Sequence, residues 1–168
     1  MNYINLIRKI LNFFDNCKQK KVLEFFKTKL FGQITVIDVG AHYGETIEIF
    51  QKKLKIKKIY SFEASPKNFK ILEKNFPKNN TSNVEIFNYG LGEGFFDSFI
   101  NQTAESSSST INKINSNSKY LDRKLKVLKI RNDDGFSQKL PIKIITLDDF
   151  INKKKITNID LLKIDTEG

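Results

Sequence analysis

The chain has 168 residues, room for one domain with a real core and hardly for two. Its formal charge of +10 comes from scattered lysine, raised together with Asn, Ile and Phe as AT-rich coding produces, and no basic-aromatic interleaving of the base-stacking kind accompanies it, so a nucleic-acid partner is disfavoured. The single cysteine, Cys17, excludes an internal disulfide and a cysteine metal cluster; no apolar run reaches the length of a membrane span, and Asn5, Arg8, Lys9 and Asn12 break up a signal-peptide core, which implies a cytoplasmic location.

Residues 1–33 read as two amphipathic helices. Ile4, Ile7, Leu11 and Phe14 form the first stripe, and Val22, Leu23, Phe26 and Leu30 the second, with Gly32 suited to a C-terminal cap. Residues 34–168 change rhythm and form the predicted domain that follows these helices. Strands are expected near Thr35–Val39, Lys58–Phe62 and Val84–Tyr89, with helices near Glu45–Leu54 and Lys67–Phe76. Pro66 falls at a first helical position behind Ser65, a natural N-cap. Strands separated by helices of this length imply right-handed parallel crossovers.

Phe95–Asn101 and Leu140–Thr146 are strand-like, and the polar stretch between them, with its run Ser106 to Ser109, reads as a loop insertion with a short helix near Lys119–Leu128. Leu147–Asn152 is a short helix. Ile159–Ile164 reads as a strand apolar on both faces, as a central parallel strand covered by helices would be. Asp165, Thr166, Glu167 and Gly168 follow at its carboxyl end.

Chemistry concentrates in Val36 to Phe50 and in Ile59 to Phe69. The first strand ends in a turn of small residues, Gly40, Ala41 and Gly44, and Glu63 closes the second strand. A tight turn beside an acid on the neighbouring strand is how an open α/β sheet holds an adenosine-containing ligand. The backbone approaches through the glycines, so a side chain at Gly40 would enter the ligand's space, and the carboxylate accepts the ribose hydroxyls. The dinucleotide pattern Gly-x-Gly-x-x-Gly is incomplete here, and no Gly-Lys-Ser/Thr follows to make a P-loop. The turn carries no basic residue, and Glu45 sits where a pyrophosphate would approach. A ribose ligand with a cationic sulfonium and no phosphate suits that acidic rim, which points to S-adenosylmethionine.

The blocks VIDVGAHYGET, IYSFEASPKNFKILEKNF, VEIFNYGLGEG, a serine run, IKIITLDDF and IDLLKIDTEG, in this order, resemble the FkbM family of S-adenosylmethionine-dependent methyltransferases from about Ile34 to Gly168. The resemblance implies an α/β, Rossmann-like class I methyltransferase fold: a doubly wound, mostly parallel sheet, truncated after the fourth core strand, with an N-terminal helical segment. It implies O-methylation of a sugar or other small-molecule hydroxyl. Family members continue past the KIDTEG block, so the expectation is a domain incomplete at its C-terminus, marginally stable and inactive by itself.

Carried onto this sequence, the family's cofactor side comprises Asp38, Gly40, Ala41, His42, Gly44, Glu63, Ala64, Tyr89, Gly90 and Leu91. Glu63 is expected on the ribose, Asp38 near the methionine amino group, and Tyr89 and Leu91 beside adenine. His42, the sole histidine, stands where the family often has asparagine, so it is read as part of the cofactor turn rather than as a base. Ser107 and Ser108 are expected to approach the site. Asp165 and Glu167 are the candidates for orienting or deprotonating a substrate hydroxyl; with no third ligand in sight they are not read as a metal site. The expected partner is a small-molecule or carbohydrate acceptor. An inactive fragment or nonenzymatic binding module, and a nicotinamide-dependent oxidoreductase, remain as alternatives.

Overall fold

The computed structural model describes residues 20–78, 82–102, 110–111, 123 and 138–166. The first predicted helix, Ser107 and Ser108, the helix near Lys119–Leu128 save for Arg123, and Glu167 with Gly168 lie outside the described residues. The chain forms two compact units, residues 1–33 and residues 34–168. In the first, residues 20–29 are helical (α1) and carry a surface ion pair, Lys27 to Glu24, at 2.9 Å.

The second unit runs β1 (Ile34–Val39), α2 (Glu45–Lys53), β2 (Ile56–Phe62), α3 (Pro66–Asn75), β3 (Val84–Phe87), β4 (Gly90–Leu91), β5 (Phe96–Gln102), β6 (Gln138–Ile145), α4 (Leu147–Lys154) and β7 (Leu161–Ile164). The β-branched run of β1 is buried along its whole length, as befits a strand with neighbours on both sides. Four strands lie parallel in the order β3-β2-β1-β7. Strand order therefore reverses at β1, and ligands in doubly wound sheets bind where the order reverses.

The strand-like stretches after Gly94 form a separate sheet of order β4-β6-β5, with β5 antiparallel to β6 from Phe96↔Ile144 to Gln102↔Gln138. The polar insertion thus leaves from one end of a strand pair. β3 stops at Phe87, two residues short of the predicted Tyr89. Asn88 leaves the ladder because its amide donates to the Glu63 and Ala64 carbonyls, at 2.8 and 3.2 Å. Gly90 and Leu91 then join the second sheet beside Ile144 and Ile145.

β7 also begins later than predicted. Asp160 turns aside to accept the Thr35 N–H at 2.8 Å and to donate its own N–H to the Thr35 carbonyl at 3.0 Å. Among the described strands β7 stands at the end of the order, with Leu162 43% and Ile164 65% exposed.

Side chains alternate across β1. Ile37 and Val39 face a core with Phe62 and Phe150 of α4, where Phe150 meets Phe62 and Phe87 edge-on, each at 4.8 Å between ring centres. Such aromatic pairs add about 0.5–1.5 kcal/mol each beyond their buried area. The opposite parity carries Val36 and Asp38, paired in register with Ile59 and Ser61. The α3 N-terminus is capped by Ser65 Oγ, which accepts Asn68 N–H at 3.3 Å, and the α4 N-terminus by Thr146 Oγ1, which accepts Asp149 N–H at 3.1 Å. No helix among the described residues is long and apolar enough to cross a membrane.

Candidate active site

The turn after β1 is built from backbone that most side chains resist. Gly40, His42 and Gly44 have φ of 83°, 51° and 98°, all in the left-handed region that glycine enters freely. Gly40 and Ala41 donate their N–H groups to the Phe62 carbonyl, both at 2.9 Å, which ties the turn to the end of β2. Gly44 caps α2 and packs so closely on α3 that an added Cβ would lie 2.2 Å from the Phe76 ring. At Gly40 an added Cβ would lie 2.1 Å from the Asp165 carbonyl oxygen. The backbone leaving β7 thus closes one side of Gly40.

Glu63 sits at the carboxyl end of β2, 7% exposed. Its Oε2 accepts the His42 N–H at 2.8 Å and its Oε1 accepts the Ser65 N–H at 2.9 Å. Burial holds its carboxyl above the usual glutamate range, although both backbone donors favour the ionised form. An ionised carboxylate offers roughly four acceptor sites, and with the Asn68 side chain as a further hydrogen-bond partner there is capacity left for a ribose hydroxyl.

Asp38 is fully buried. Ser61 Oγ donates to its Oδ2 at 3.2 Å, and the Lys163 ammonium lies 3.0 Å from its Oδ1. Burial raises its carboxyl above the ordinary value, outweighing Lys163 and Ser61, which pull the other way. Lys163 also donates to the Gly40 carbonyl at 3.0 Å and lies 3.6 Å from Asp165 Oδ2. Lys163 was not among the sequence candidates. Its signal was a charge inside an otherwise apolar strand two positions before Asp165.

His42 directs its ring to Glu45, with Nδ1 to Oε1 at 3.1 Å, and stacks on Tyr43 at 3.7 Å between ring centres. That hydrogen bond is the first cause lowering the Glu45 carboxyl below its usual range. Tyr89 and Leu91 are half-buried and pack against the Phe62 and Phe150 core, while Ala64 packs toward Ile142 and Ile144 of the second sheet. An added Cβ at Gly90 would lie 2.5 Å from Ile144 Cδ1, the far end of a side chain that can shift. The structure thus brings Asp38, Gly40, Ala41, His42, Glu63 and Asp165 together at the carboxyl ends of β1, β2 and β7. Among the described residues no group of three or more His, Cys, Asp or Glu side chains is arranged to hold a metal.

The family model described as the methyltransferase FkbM domain matches residues 38–168. No curated protein matches the chain significantly. Among solved structures, the crystal structure of methyltransferase FkbM from Methylobacillus flagellatus KT is similar, at 17% identity and a TM-score of 0.46. That likeness covers 83% of this chain and 28% of that one, so the chain spans little more than a quarter of its neighbour's length. On the family model, which takes in β1 from Asp38 onward and every later strand, the chain belongs to the methyltransferase FkbM domain family.

Proposed function

We propose that this domain binds S-adenosylmethionine at the carboxyl ends of β1 and β2 and serves the methylation of a hydroxyl on a small-molecule or carbohydrate acceptor. The observation that carries the reading is Glu63: a buried acid, pinned by two backbone N–H groups, ending the strand beside a glycine turn. An acceptor-only group in that position suits a ribose diol. The turn itself holds no lysine or arginine for a pyrophosphate; His42 is paired with Glu45, and the Lys163 ammonium beside Gly40 is engaged with Asp38 and the Gly40 carbonyl. The residues present therefore fit an adenosine with a cationic sulfonium and no phosphate.

When bound, the cofactor supplies an activated methyl group on a good, neutral leaving group. The chain's own part is alignment and proton handling. Glu63 holds the ribose, and the Gly40–Gly44 backbone shapes the pocket floor. Asp165, exposed at the exit of β7 and near the Lys163 ammonium, is assigned the acceptor hydroxyl: its carboxylate oxygen accepts the hydroxyl proton as the oxygen becomes the nucleophile. Glu167, outside the described residues, is the second candidate for the same task on its place in the sequence.

The test is a titration of the full-length protein with S-adenosylmethionine, S-adenosylhomocysteine and NAD, followed by transfer of a labelled methyl group to a panel of acceptors. Binding of the two sulfur ligands and label on an acceptor oxygen are expected. Binding of NAD alone, or label only on protein or nucleic-acid nitrogen, would overturn the proposal.

A further inference from the structure

We infer that Lys163 is a positioning residue that holds the glycine turn after β1 and the backbone leaving β7 in one arrangement. The inference rests on the proposed reading only in naming those two sides cofactor and acceptor; the holding itself stands on geometry.

Parallel register sets Ser61, Asp38 and Lys163 side by side across β2, β1 and β7. Residues paired in this way point to the same face of a sheet. A lysine ammonium has three donors and no acceptor; here it donates to the Gly40 carbonyl and forms ion pairs with two carboxylates. Asp38 Oδ1 and the Gly40 carbonyl each lie at 3.0 Å, and Asp165 Oδ2 at 3.6 Å. Were the lysine present only to neutralise buried Asp38, the Gly40 carbonyl would need no part in it.

The ammonium bridges at the point where the two backbones already touch. A Cβ on Gly40 would lie 2.1 Å from the Asp165 carbonyl, and the Asp165 N–H donates to the Val39 carbonyl at 3.0 Å. A buried ion pair adds little net stability over a well-packed apolar replacement. What it supplies here is a fixed placement of two chain segments that are far apart in sequence.

The experiment separates neutralisation from positioning. In the full-length protein, Lys163→Met strands the Asp38 charge, whereas Asp38→Asn with Lys163→Met removes both charges. The single variant should melt lower, and the double variant should regain most of the melting temperature. Amide exchange at Gly40, Gly44 and Asp165 in the double variant should nevertheless stay faster than in the wild type by roughly tenfold or more, the loss of one hydrogen bond to a charged group. Pairing Asp38→Asn with Lys163→Gln keeps a donor for the Gly40 carbonyl and should slow that exchange again. Recovery of wild-type exchange in the methionine double variant would show that Lys163 only neutralises Asp38. Absence of rescue by glutamine would overturn the inference as well. A wild type that binds no S-adenosylmethionine would sink the functional proposal alone, since the exchange comparison does not depend on it.

Discussion

The carboxylate of Glu63 accepts the backbone N–H of His42 at 2.8 Å, so the acid that ends β2 also closes the turn that leaves β1. Its second oxygen holds the Ser65 N–H at 2.9 Å, at the start of α3. One side chain therefore fixes two turns at the edge where a ligand is proposed to lie. Energetically this is a buried acid kept in place by hydrogen bonds rather than by a countercharge, which makes the site sensitive to pH and to any loss of the turn's shape.

The glycines of this edge should separate strain from collision. Gly32, with φ 80°, has open space around an added Cβ, whereas Gly40 and Gly44 do not. Alanine at Gly32 is expected to cost only the left-handed backbone strain, about 1–2 kcal/mol. Alanine at Gly44 should cost about 2–4 kcal/mol, because the Phe76 ring can shift in part, and at Gly40 still more, because the obstacle is the Asp165 backbone. Urea unfolding of the three variants checks the order Gly40, Gly44, Gly32.

The two side-chain caps offer a second comparison. Ser65, Asn68 and Gln102 are all buried; Ser65 Oγ donates to Gln102 Oε1, and Gln102 Nε2 donates to Asn68 Oδ1 at 3.1 Å. Ser65→Ala removes a cap and also strands a buried amide oxygen, for a loss of about 2–4 kcal/mol. Thr146→Ala removes an exposed cap and should cost about 1 kcal/mol. Equal losses in thermal or denaturant unfolding would show that the buried network contributes nothing beyond capping.

Much of this edge was legible in the sequence because its signals are local. A β-branched run, a small-residue turn, and Ser65-Pro66 opening a helix announce β1, β2 and α3 without reference to anything distant. The β5–β6 pairing was not legible, since Gln102 and Gln138 meet across a long polar segment and neither strand names its partner. Lys163 was missed for the same reason: its acceptors Asp38 and Gly40 come from the other end of the domain's sequence. The reason for Gly40 was read only in part, because a glycine in a turn announces a close approach without saying which atom approaches.

A pH comparison follows from the direction of the Glu63 shift. Its carboxyl is raised by burial, so the folded state holds that proton more tightly than the unfolded chain. The stability this group contributes is complete below the ordinary glutamate range and is lost as pH rises through the raised folded value. The stability difference between wild type and Glu63→Gln should therefore shift in favour of wild type as pH falls from neutral to mildly acidic. Unfolding midpoints of both proteins across that range provide the check; parallel curves would mean that Glu63 titrates normally.

The central claim is that Glu63 receives the ribose of S-adenosylmethionine, and calorimetry of wild type against Glu63→Gln tests it most directly. Glutamine preserves the side chain's shape but removes the charge and one acceptor oxygen. Weakening by about tenfold to a hundredfold, with NAD bound by neither protein, is the expected result. Unchanged affinity for S-adenosylmethionine in the glutamine variant, or tighter binding of NAD than of S-adenosylmethionine by the wild type, would contradict the account.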